Sequence, residues 1–217
     1  MNILIAGANG KIGRELVRLV GESARLHARA MIRDSAQASA LQALGAETVV
    51  ADLEGDAQAA LDGVDAVVFT AGSGPHTGRD KTLAVDRDGA IALIDAAAAA
   101  GVKRFVMVSA LRTRTPEQAP EKLRHYLDAK RIADDYLMAT SLDWTVVRPG
   151  RLNNEPASYR VHAFECGPGI AEPGYGEIPR ADVAAALAAI VPARNTVHRE
   201  VGLLAGDTPI EQAIQAL

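Results

Sequence analysis

Short apolar runs alternate with longer amphipathic or alanine-rich segments along the chain. The runs are rich in branched residues and have the length of buried strands. Because strand-like and helix-like segments alternate, the pattern predicts an α/β fold, with a doubly wound parallel sheet and helices on both faces. The predicted strands are Asn2–Ala6, Leu26–Ile32, Glu47–Val50, Ala66–Thr70, Arg104–Ser109 and Asp143–Arg148, with a shorter strand near Val201–Leu204.

Helical periodicity is clearest at Thr82–Ala100, a segment that Gly101 ends. Further helices are expected from about Pro120 to Ala139 and at Val183–Val191, where Asp182 is expected to cap the N-terminus. Loops richer in glycine, proline and charge follow the strand ends, at 71–79, 112–120 and 151–176. Ligands of open α/β sheets bind outside the carboxyl ends of the strands, so these loops are expected to carry the ligand contacts.

The first predicted strand runs directly into a glycine-rich turn and an amphipathic helix. Such a turn directs unpaired backbone N–H groups at an anion, and the helix dipole adds to the attraction. The glycines allow a tight turn, a close approach of the backbone to phosphates, and close packing of the helix on the strand. The segment therefore predicts the pyrophosphate-binding loop of a Rossmann-like dinucleotide site, although its first two glycines are two residues apart rather than one. The predicted cofactor-binding residues of this loop are Gly7, Asn9, Gly10, Lys11, Ile12 and Gly13.

The end of the second predicted strand distinguishes the two nicotinamide cofactors. An acidic residue at this place binds the ribose 2′-hydroxyl of NAD, whereas an arginine accommodates the 2′-phosphate of NADP. Arg33 occupies the position, and its planar guanidinium is able to hold a phosphate through two parallel N–H bonds. Asp34 follows directly and is able to serve an NAD ribose. The sequence thus favours NADP(H) and leaves NAD(H) possible.

Composition narrows the class of protein and its partners. A length of 217 residues suits one domain, predicted to span 1–217 with its substrate-side loops mainly in 151–180. A net charge of −4 and an aromatic content of 4% argue against a nucleic-acid partner. Cys166 is the one cysteine, and no metal-ligand spacing surrounds it, so no metal site is predicted. No signal peptide or membrane-length apolar run is present, which predicts a cytoplasmic protein without a membrane partner; alanine-rich helix faces leave an oligomer possible.

A second group of residues suggests proton transfer. Tyr126 and Lys130 are four residues apart in a predicted helix, and therefore lie on one face of it. A neighbouring ammonium lowers the pKa of a phenol, which makes the tyrosine a better acid or base near neutral pH. Ser109 ends a predicted strand upstream, where its hydroxyl would be placed to polarise a substrate carbonyl. No role is assigned to His76, His125 or Glu172.

These residues together resemble the short-chain dehydrogenase/reductase superfamily, and within it the atypical group of small NAD(P)H-binding proteins labelled NAD-dependent epimerases. The resemblance covers nearly the whole chain. It implies that Asp52 and Leu53 flank the adenine, and that Pro149-Gly150 begins a loop over the nicotinamide. It also implies that Thr70, Ala71 and Gly72 line the cofactor. The motifs that carry it are the glycine-rich loop, Ile32-Arg33-Asp34, Ala51-Asp52-Leu53, Phe69-Thr70-Ala71-Gly72, Val85-Asp86-Arg87-Asp88-Gly89-Ala90, the segment 101–109, Tyr126-Leu127-Asp128-Ala129-Lys130 and Thr145-Val146-Val147-Arg148-Pro149-Gly150.

Two departures from the superfamily pattern qualify the implied activity. Asp86 stands where classical members have an asparagine that helps to hold a proton-relay water, so Asp86 is taken as a candidate catalytic residue of the atypical kind. The chain leaves little length for the substrate domain of sugar-nucleotide epimerases, so that reaction is not expected.

The resulting hypothesis is an NADP(H)-binding oxidoreductase that transfers hydride to or from a small carbonyl or quinone-like substrate. In it Tyr126 exchanges the proton, Lys130 lowers the pKa of Tyr126 and holds the nicotinamide ribose, and Ser109 orients the carbonyl. The alternative is a non-catalytic protein that senses the NADP(H) state, because a fold does not determine a function.

Overall fold

Strands and helical segments alternate along the chain, as the sequence pattern predicts. The computed structural model describes residues 1–74, 78–170, 174 and 176–217. Its strands are β1 (Asn2–Ala6), β2 (His27–Ile32), β3 (Glu47–Val50), β4 (Ala66–Phe69), β5 (Arg104–Val108), β6 (Asp143–Pro149), β7 (Arg151–Asn153), β8 (Arg160–Cys166), β9 (Glu177–Pro179), β10 (Arg199–Ala205) and β11 (Thr208–Pro209). The α-helices are α1 (Lys11–Gly21), α2 (Ala38–Gln42), α3 (Arg79–Lys81), α4 (Ala90–Ala99), α5 (Glu121–Met138), α6 (Arg180–Ile190) and α7 (Ile210–Gln215).

Nine of the described strands form one sheet in the order β11-β8-β10-β6-β5-β4-β1-β2-β3. Strands β1 to β6 and β10 pair parallel with one another, whereas β8 pairs antiparallel with β10 and with β11. The short strands β7 and β9 form a separate parallel pair. The strand order reverses direction at β1 and β4, and a crevice at such a switch point is where dinucleotides bind.

The two faces of the sheet bury two separate apolar layers. Alternate residues of each strand point to opposite faces, so Val106 and Val108 of β5 pack with helices α1 and α6, whereas Phe105 and Met107 pack with α4 and α5. Both layers consist largely of fully buried aliphatic side chains. Helices on both faces explain why the central strands β1, β4 and β5 consist mostly of apolar residues.

The predicted parallel strands are confirmed, with ends that differ by a residue or so. Thr70 and Ser109, predicted as the last residues of two strands, still donate their backbone N–H groups to Ala6 O and Val147 O. The predicted helix Val183–Val191 begins earlier, at Arg180. No helix of the described residues is long and apolar enough to cross a membrane.

Two local structures differ from the sequence-based expectation. The predicted continuous α-helix Thr82–Ala100 is wound as a π-helix over Thr82–Gly89 before α4 begins. The region 151–180, predicted mainly as loop, contains β7, β8 and β9. Glycine and proline residues interrupt this region, and β8 mixes apolar and charged residues because it lies near the edge of the sheet. The sequence there has therefore neither the two-residue period of a strand nor the 3.6-residue period of a helix.

Asp182 does not cap its helix, contrary to the prediction. Its carboxylate lies fully buried in the first turn of α6 and accepts hydrogen bonds from Ser158 N at 3.0 Å, Ser158 Oγ at 2.8 Å and Tyr159 N at 2.7 Å. Tyr159 has a positive φ of 55°, which a non-glycine residue adopts at a cost. Asp182 therefore holds the turn that leads into β8.

We expect Asp182→Asn to lower the free energy of unfolding by about 2 kcal/mol, because an amide N–H₂ would face backbone donors where the carboxylate accepts. Urea unfolding at pH 7 measures the loss. Asp62→Asn, at an exposed aspartate, is the control and should change stability by less than about 0.5 kcal/mol. Equal stability of Asp182→Asn and the wild-type protein would contradict the assigned role.

Candidate cofactor and catalytic site

The turn between β1 and α1 has the close contacts expected of a phosphate-binding loop. Gly7 has a φ of +85°, and a Cβ there would lie 2.5 Å from Ala71 N. A Cβ on Gly13 would lie 2.2 Å from Gly7 O, so only glycine lets the helix approach the turn. Gly10 has more space, since a Cβ would meet only Gly7 O at 3.2 Å. Gly10 faces the open cleft instead, where a Cβ would take room from a ligand.

An open cleft of about 410 Å³ extends from this loop across the ends of β2, β3 and β4. Its size is in the range of small-molecule and cofactor sites. The residues predicted for the cofactor that line it are Gly7, Asn9, Gly10, Arg33, Asp52, Leu53, Thr70, Ala71 and Gly72. Its further lining residues, which the sequence did not indicate, are Met31, Gln37, Ala51, Ser73, Lys81 and Val85. The residues present thus fit the elongated shape and the anionic groups of a dinucleotide.

The other residues predicted for the cofactor lie outside the cleft lining. Ile12 is buried in the core, and Gly13 packs against the turn, so only their backbone groups are near the loop. Lys11 donates to Asn154 Oδ1 at 3.2 Å. Pro149 and Gly150 are buried at the end of β6, where a Cβ on Gly150 would meet Gly176 O at 2.3 Å. For these residues contact with the cofactor stays a prediction.

Lys130 is buried at the wall of the cleft. Its Nζ is 3.3 Å from Asp86 Oδ1, and it donates to Val108 O at 3.2 Å and to Ala71 O at 3.4 Å. Burial acts to lower the pKa of Lys130, but the negative charges of Tyr126, Asp86 and Asp134 outweigh it, and the pKa is raised. The side chain is therefore a fixed ammonium at neutral pH, next to a backbone oxygen of the cleft lining.

Asp86 is fully buried, and its two oxygens have different surroundings. Oδ2 accepts a hydrogen bond from Ser73 N at 3.0 Å, whereas Oδ1 faces Lys130 Nζ at a separation suited to an ion pair. The π-helix turns Asp86 inward toward the ammonium and leaves Val85 on the cleft. Asp86 thus neutralises Lys130 and fixes its position.

Tyr126 lies one helical turn before Lys130 in α5 and is half-buried. The structure therefore brings the predicted tyrosine and lysine together on one helix face, with electrostatic interaction between them. His125 is half-buried beside Tyr126. His76 and Glu172 lie outside the described residues.

Ser109 is buried, and its hydroxyl group donates a hydrogen bond within the protein. Its Oγ donates to Asp134 Oδ2 at 2.6 Å, and Arg148 Nη1 donates to the same carboxylate oxygen at 2.8 Å. A hydroxyl has one hydrogen and two lone pairs. The predicted polarisation of a carbonyl by Ser109 conflicts with this arrangement, because that hydrogen is directed at Asp134.

Asp134 and Arg148 belong to a larger buried network that no sequence pattern indicated. Arg148 Nε donates to Glu200 Oε2 at 3.0 Å, and Arg114 binds the same carboxylate at 2.8 Å and 3.1 Å. Burial raises the pKa of Asp134, and the opposing effect of Arg148 does not cancel it. Burial also acts to raise the pKa of Glu200, but hydrogen bonds from Arg114 and Arg148 outweigh it, and the pKa is lowered.

A larger cavity of about 810 Å³ lies between α5, the 114–118 segment and the 167–170 segment. Arg114, Arg131 and Asp135 are its charged lining residues. It contains none of the predicted catalytic or cofactor-binding residues. We assign the site to the smaller cleft, because that cleft holds the glycine-rich loop and adjoins Lys130.

The family model described as NAD(P)H-binding matches residues 7–194. The chain belongs to this family. The family match confirms the resemblance found in the sequence, and the similarity to a solved structure, described next, confirms the Rossmann-like fold.

Two of the relatives cover the whole chain, and a third covers part of it. A Bacillus subtilis protein named "Uncharacterized sugar epimerase YhfK" is 46% identical over 220 residues, which cover 100% of both chains. A solved Bacillus halodurans structure, described as "Putative NAD-dependent epimerase/dehydratase", has a TM-score of 0.94 and 44% identity over 100% of both chains. The NAD(P)H azoreductase of Xenophilus azovorans is 35% identical over 150 residues, which are 68% of this chain and 47% of the azoreductase.

We expect Glu200→Gln to change how stability depends on pH. A carboxyl whose pKa is lower in the folded state contributes stability above its unfolded pKa of about 4.3 and loses it as pH falls through the folded value. The stability advantage of the wild-type protein over Glu200→Gln should therefore be constant above about pH 5 and shrink toward pH 3.

Urea unfolding of both proteins between pH 3 and 7 measures this difference. Glu211→Gln, at an exposed glutamate, serves as the control and should follow the wild-type curve at all pH values. Parallel curves for the wild-type protein and Glu200→Gln would show that the ion pairs of Glu200 do not lower its pKa.

Proposed function

We propose that this NAD(P)H-binding protein is an NADP(H)-dependent oxidoreductase that transfers hydride to or from a small carbonyl or quinone-like substrate. The observation that carries the proposal is the position of Lys130. Its buried ammonium contacts Ala71 O of the cofactor cleft and lies one helical turn from Tyr126. A cation at this place serves both the cofactor and a proton-donating phenol.

The preference for NADP(H) rests on the end of β2. Arg33 lines the cleft beside Gln37 and Asp52, where its guanidinium would bind a 2′-phosphate through parallel N–H bonds. Asp34, the alternative ligand for an NAD ribose, accepts a hydrogen bond from Ala36 N at 2.9 Å and caps the short 3₁₀ helix that follows. This local role of Asp34 supports the phosphate-binding assignment of Arg33.

When bound, the nicotinamide supplies or accepts the hydride. Tyr126 donates a proton to the substrate oxygen during reduction and takes one during oxidation. The Lys130 ammonium favours the phenolate form of Tyr126 and would hold the nicotinamide ribose, while Asp86 keeps Lys130 in place. Ser109 contributes only lone pairs, because Asp134 takes its hydrogen. Tyr126 is then the acid that polarises the carbonyl.

The relative that is named an NAD(P)H azoreductase supports a reductase, whereas the two relatives that cover the whole chain have epimerase names. The similarity covers 68% of this chain and 47% of the azoreductase.

We expect Arg33→Ala to weaken NADPH binding about ten- to a hundredfold and NADH binding by less than about threefold, because only NADPH carries the 2′-phosphate. Fluorescence titration with both cofactors measures the two affinities. Arg25→Ala, at an exposed arginine outside the cleft lining, is the control and should leave both affinities unchanged. Equal losses for the two cofactors would remove Arg33 from the 2′-phosphate site.

We expect Tyr126→Phe to lower kcat about a hundredfold or more and to leave NADPH affinity within about threefold, because the hydroxyl acts in proton transfer and not in cofactor binding. Oxidation of NADPH with a panel of quinones, aldehydes and ketones provides the assay. Tyr136→Phe is a matched control on the same helix, where the hydroxyl donates to Asp95 near the surface.

Unchanged turnover of Tyr126→Phe would eliminate Tyr126 as the acid. A wild-type protein that binds NADPH tightly but reduces no member of the panel would instead support a sensor of the cofactor.

A further inference from the structure

Two cations from distant parts of the chain meet at one oxygen beside the glycine-rich loop. Lys11, the first residue of α1, donates to Asn154 Oδ1 at 3.2 Å. Arg180, the first residue of α6, donates to the same atom through Nη1 at 2.9 Å. Asn154 follows β7, so this oxygen joins the two helix starts to the segment that leads away from Pro149 and Gly150.

The shared acceptor does not neutralise these charges. An amide oxygen carries no net charge, and the other acceptors of Arg180 are the backbone oxygens of Leu152 at 3.3 Å and Asn153 at 3.0 Å. No ion pair joins Lys11 or Arg180 to a carboxylate of residues 1–74, 78–170, 174 or 176–217. By contrast, Arg18 of the same helix α1 forms ion pairs with both Glu15 and Glu22.

Arg14 adds a third cation whose partners are uncharged. Its guanidinium donates to the backbone and side-chain oxygens of Asn9, a residue of the cleft lining. Three positive side chains therefore surround the N-terminus of α1, where the backbone already favours an anion.

The sheet order gives the position of Arg180 relative to the cofactor. The adenosine end of the cleft lies over β2 and β3, where Arg33 and Asp52 are found. Helix α6 lies on the other side of α1, toward β5, since Arg104 of β5 donates to Ile190 O and Val191 O at its C-terminal end. Arg180 therefore approaches the glycine-rich loop from the nicotinamide side.

We propose that Arg180 and Lys11 bind the nicotinamide-side phosphate of the cofactor pyrophosphate, and that this contact holds the segment after β6 against the glycine-rich loop. The inference rests on the proposed function, because it assumes a nicotinamide dinucleotide in the cleft. Among the hydrogen bonds of the described residues, Arg180 uses only Nη1. Its Nε and Nη2 form the planar fork that binds phosphate oxygens in pairs.

Calorimetric titration with two ligands separates the two halves of the cofactor. NADPH carries both phosphates of the pyrophosphate, whereas adenosine 2′,5′-bisphosphate carries the adenosine half and lacks the nicotinamide-side phosphate. We expect Arg180→Gln to weaken NADPH binding roughly ten- to a hundredfold and to change adenosine 2′,5′-bisphosphate binding by less than about twofold. Arg180→Lys should be intermediate for NADPH, because it keeps the charge and loses the fork.

Two further variants control for charge and folding. Arg151→Gln removes one positive charge from β7, where Arg151 is exposed and pairs with Glu177 at 3.2 Å, and should leave both affinities within about twofold. Lys11→Gln changes an exposed side chain and should reproduce the selective loss for NADPH even if Arg180→Gln unfolds.

The outcomes distinguish the inference from the proposed function. Selective loss of NADPH affinity in the Arg180 and Lys11 variants supports the inference. Equal losses for both ligands, or wild-type affinity for both, overturn the inference alone while the proposed function stands. A wild-type protein that binds neither ligand overturns both.

Discussion

The buried ammonium of Lys130 joins the three parts of the molecule on which the site depends. It contacts Ala71 after β4, Val108 at the end of β5 and Asp86 in the π-helix, while its own backbone belongs to α5. An unpaired charge buried away from water would raise the free energy of the folded state. The helix, the two strand ends and the carboxylate must therefore keep their relative positions. The position of Tyr126 follows, because it lies on the same helix one turn away.

The same requirement explains the network beneath the site. Arg148 is almost completely buried near the C-terminal end of β6, and it pairs with the carboxylates of Asp134 and Glu200. Removing one member would leave another charge buried without its partner, which costs more than the net energy of the pair. The network also holds the 110–118 segment through Thr113 and Arg114. Ser109 is part of this support, and its hydrogen bond to Asp134 explains why a serine at a strand end faces the protein interior.

The π-helix has a comparable role on the other wall of the cleft. Its wider winding places Val85 on the cleft while Asp86 points inward. Gly89 lets the π-helix approach Leu53, since a Cβ on Gly89 would lie 2.9 Å from the Cβ of Leu53. Single π turns are often found at functional sites. Here the winding connects the residue that neutralises Lys130 with residues that face the cofactor cleft.

The sequence by itself determined the alternation of strands and helices, the glycine-rich loop and most of the cleft from Gly7 to Gly72, because these depend on local periodicity and on backbone space at single positions. It also determined that Tyr126 and Lys130 share a helix face. It did not reveal β8 or the partners Asp134, Arg148 and Glu200, since their pairing joins positions up to 52 residues apart and no local pattern records it. Only the tertiary structure decided where the hydrogen of Ser109 points, because buried polar groups find their partners through the packing of the whole sheet. It also decided that Lys11 and Arg180 meet at Asn154, since these three residues are far apart in the sequence.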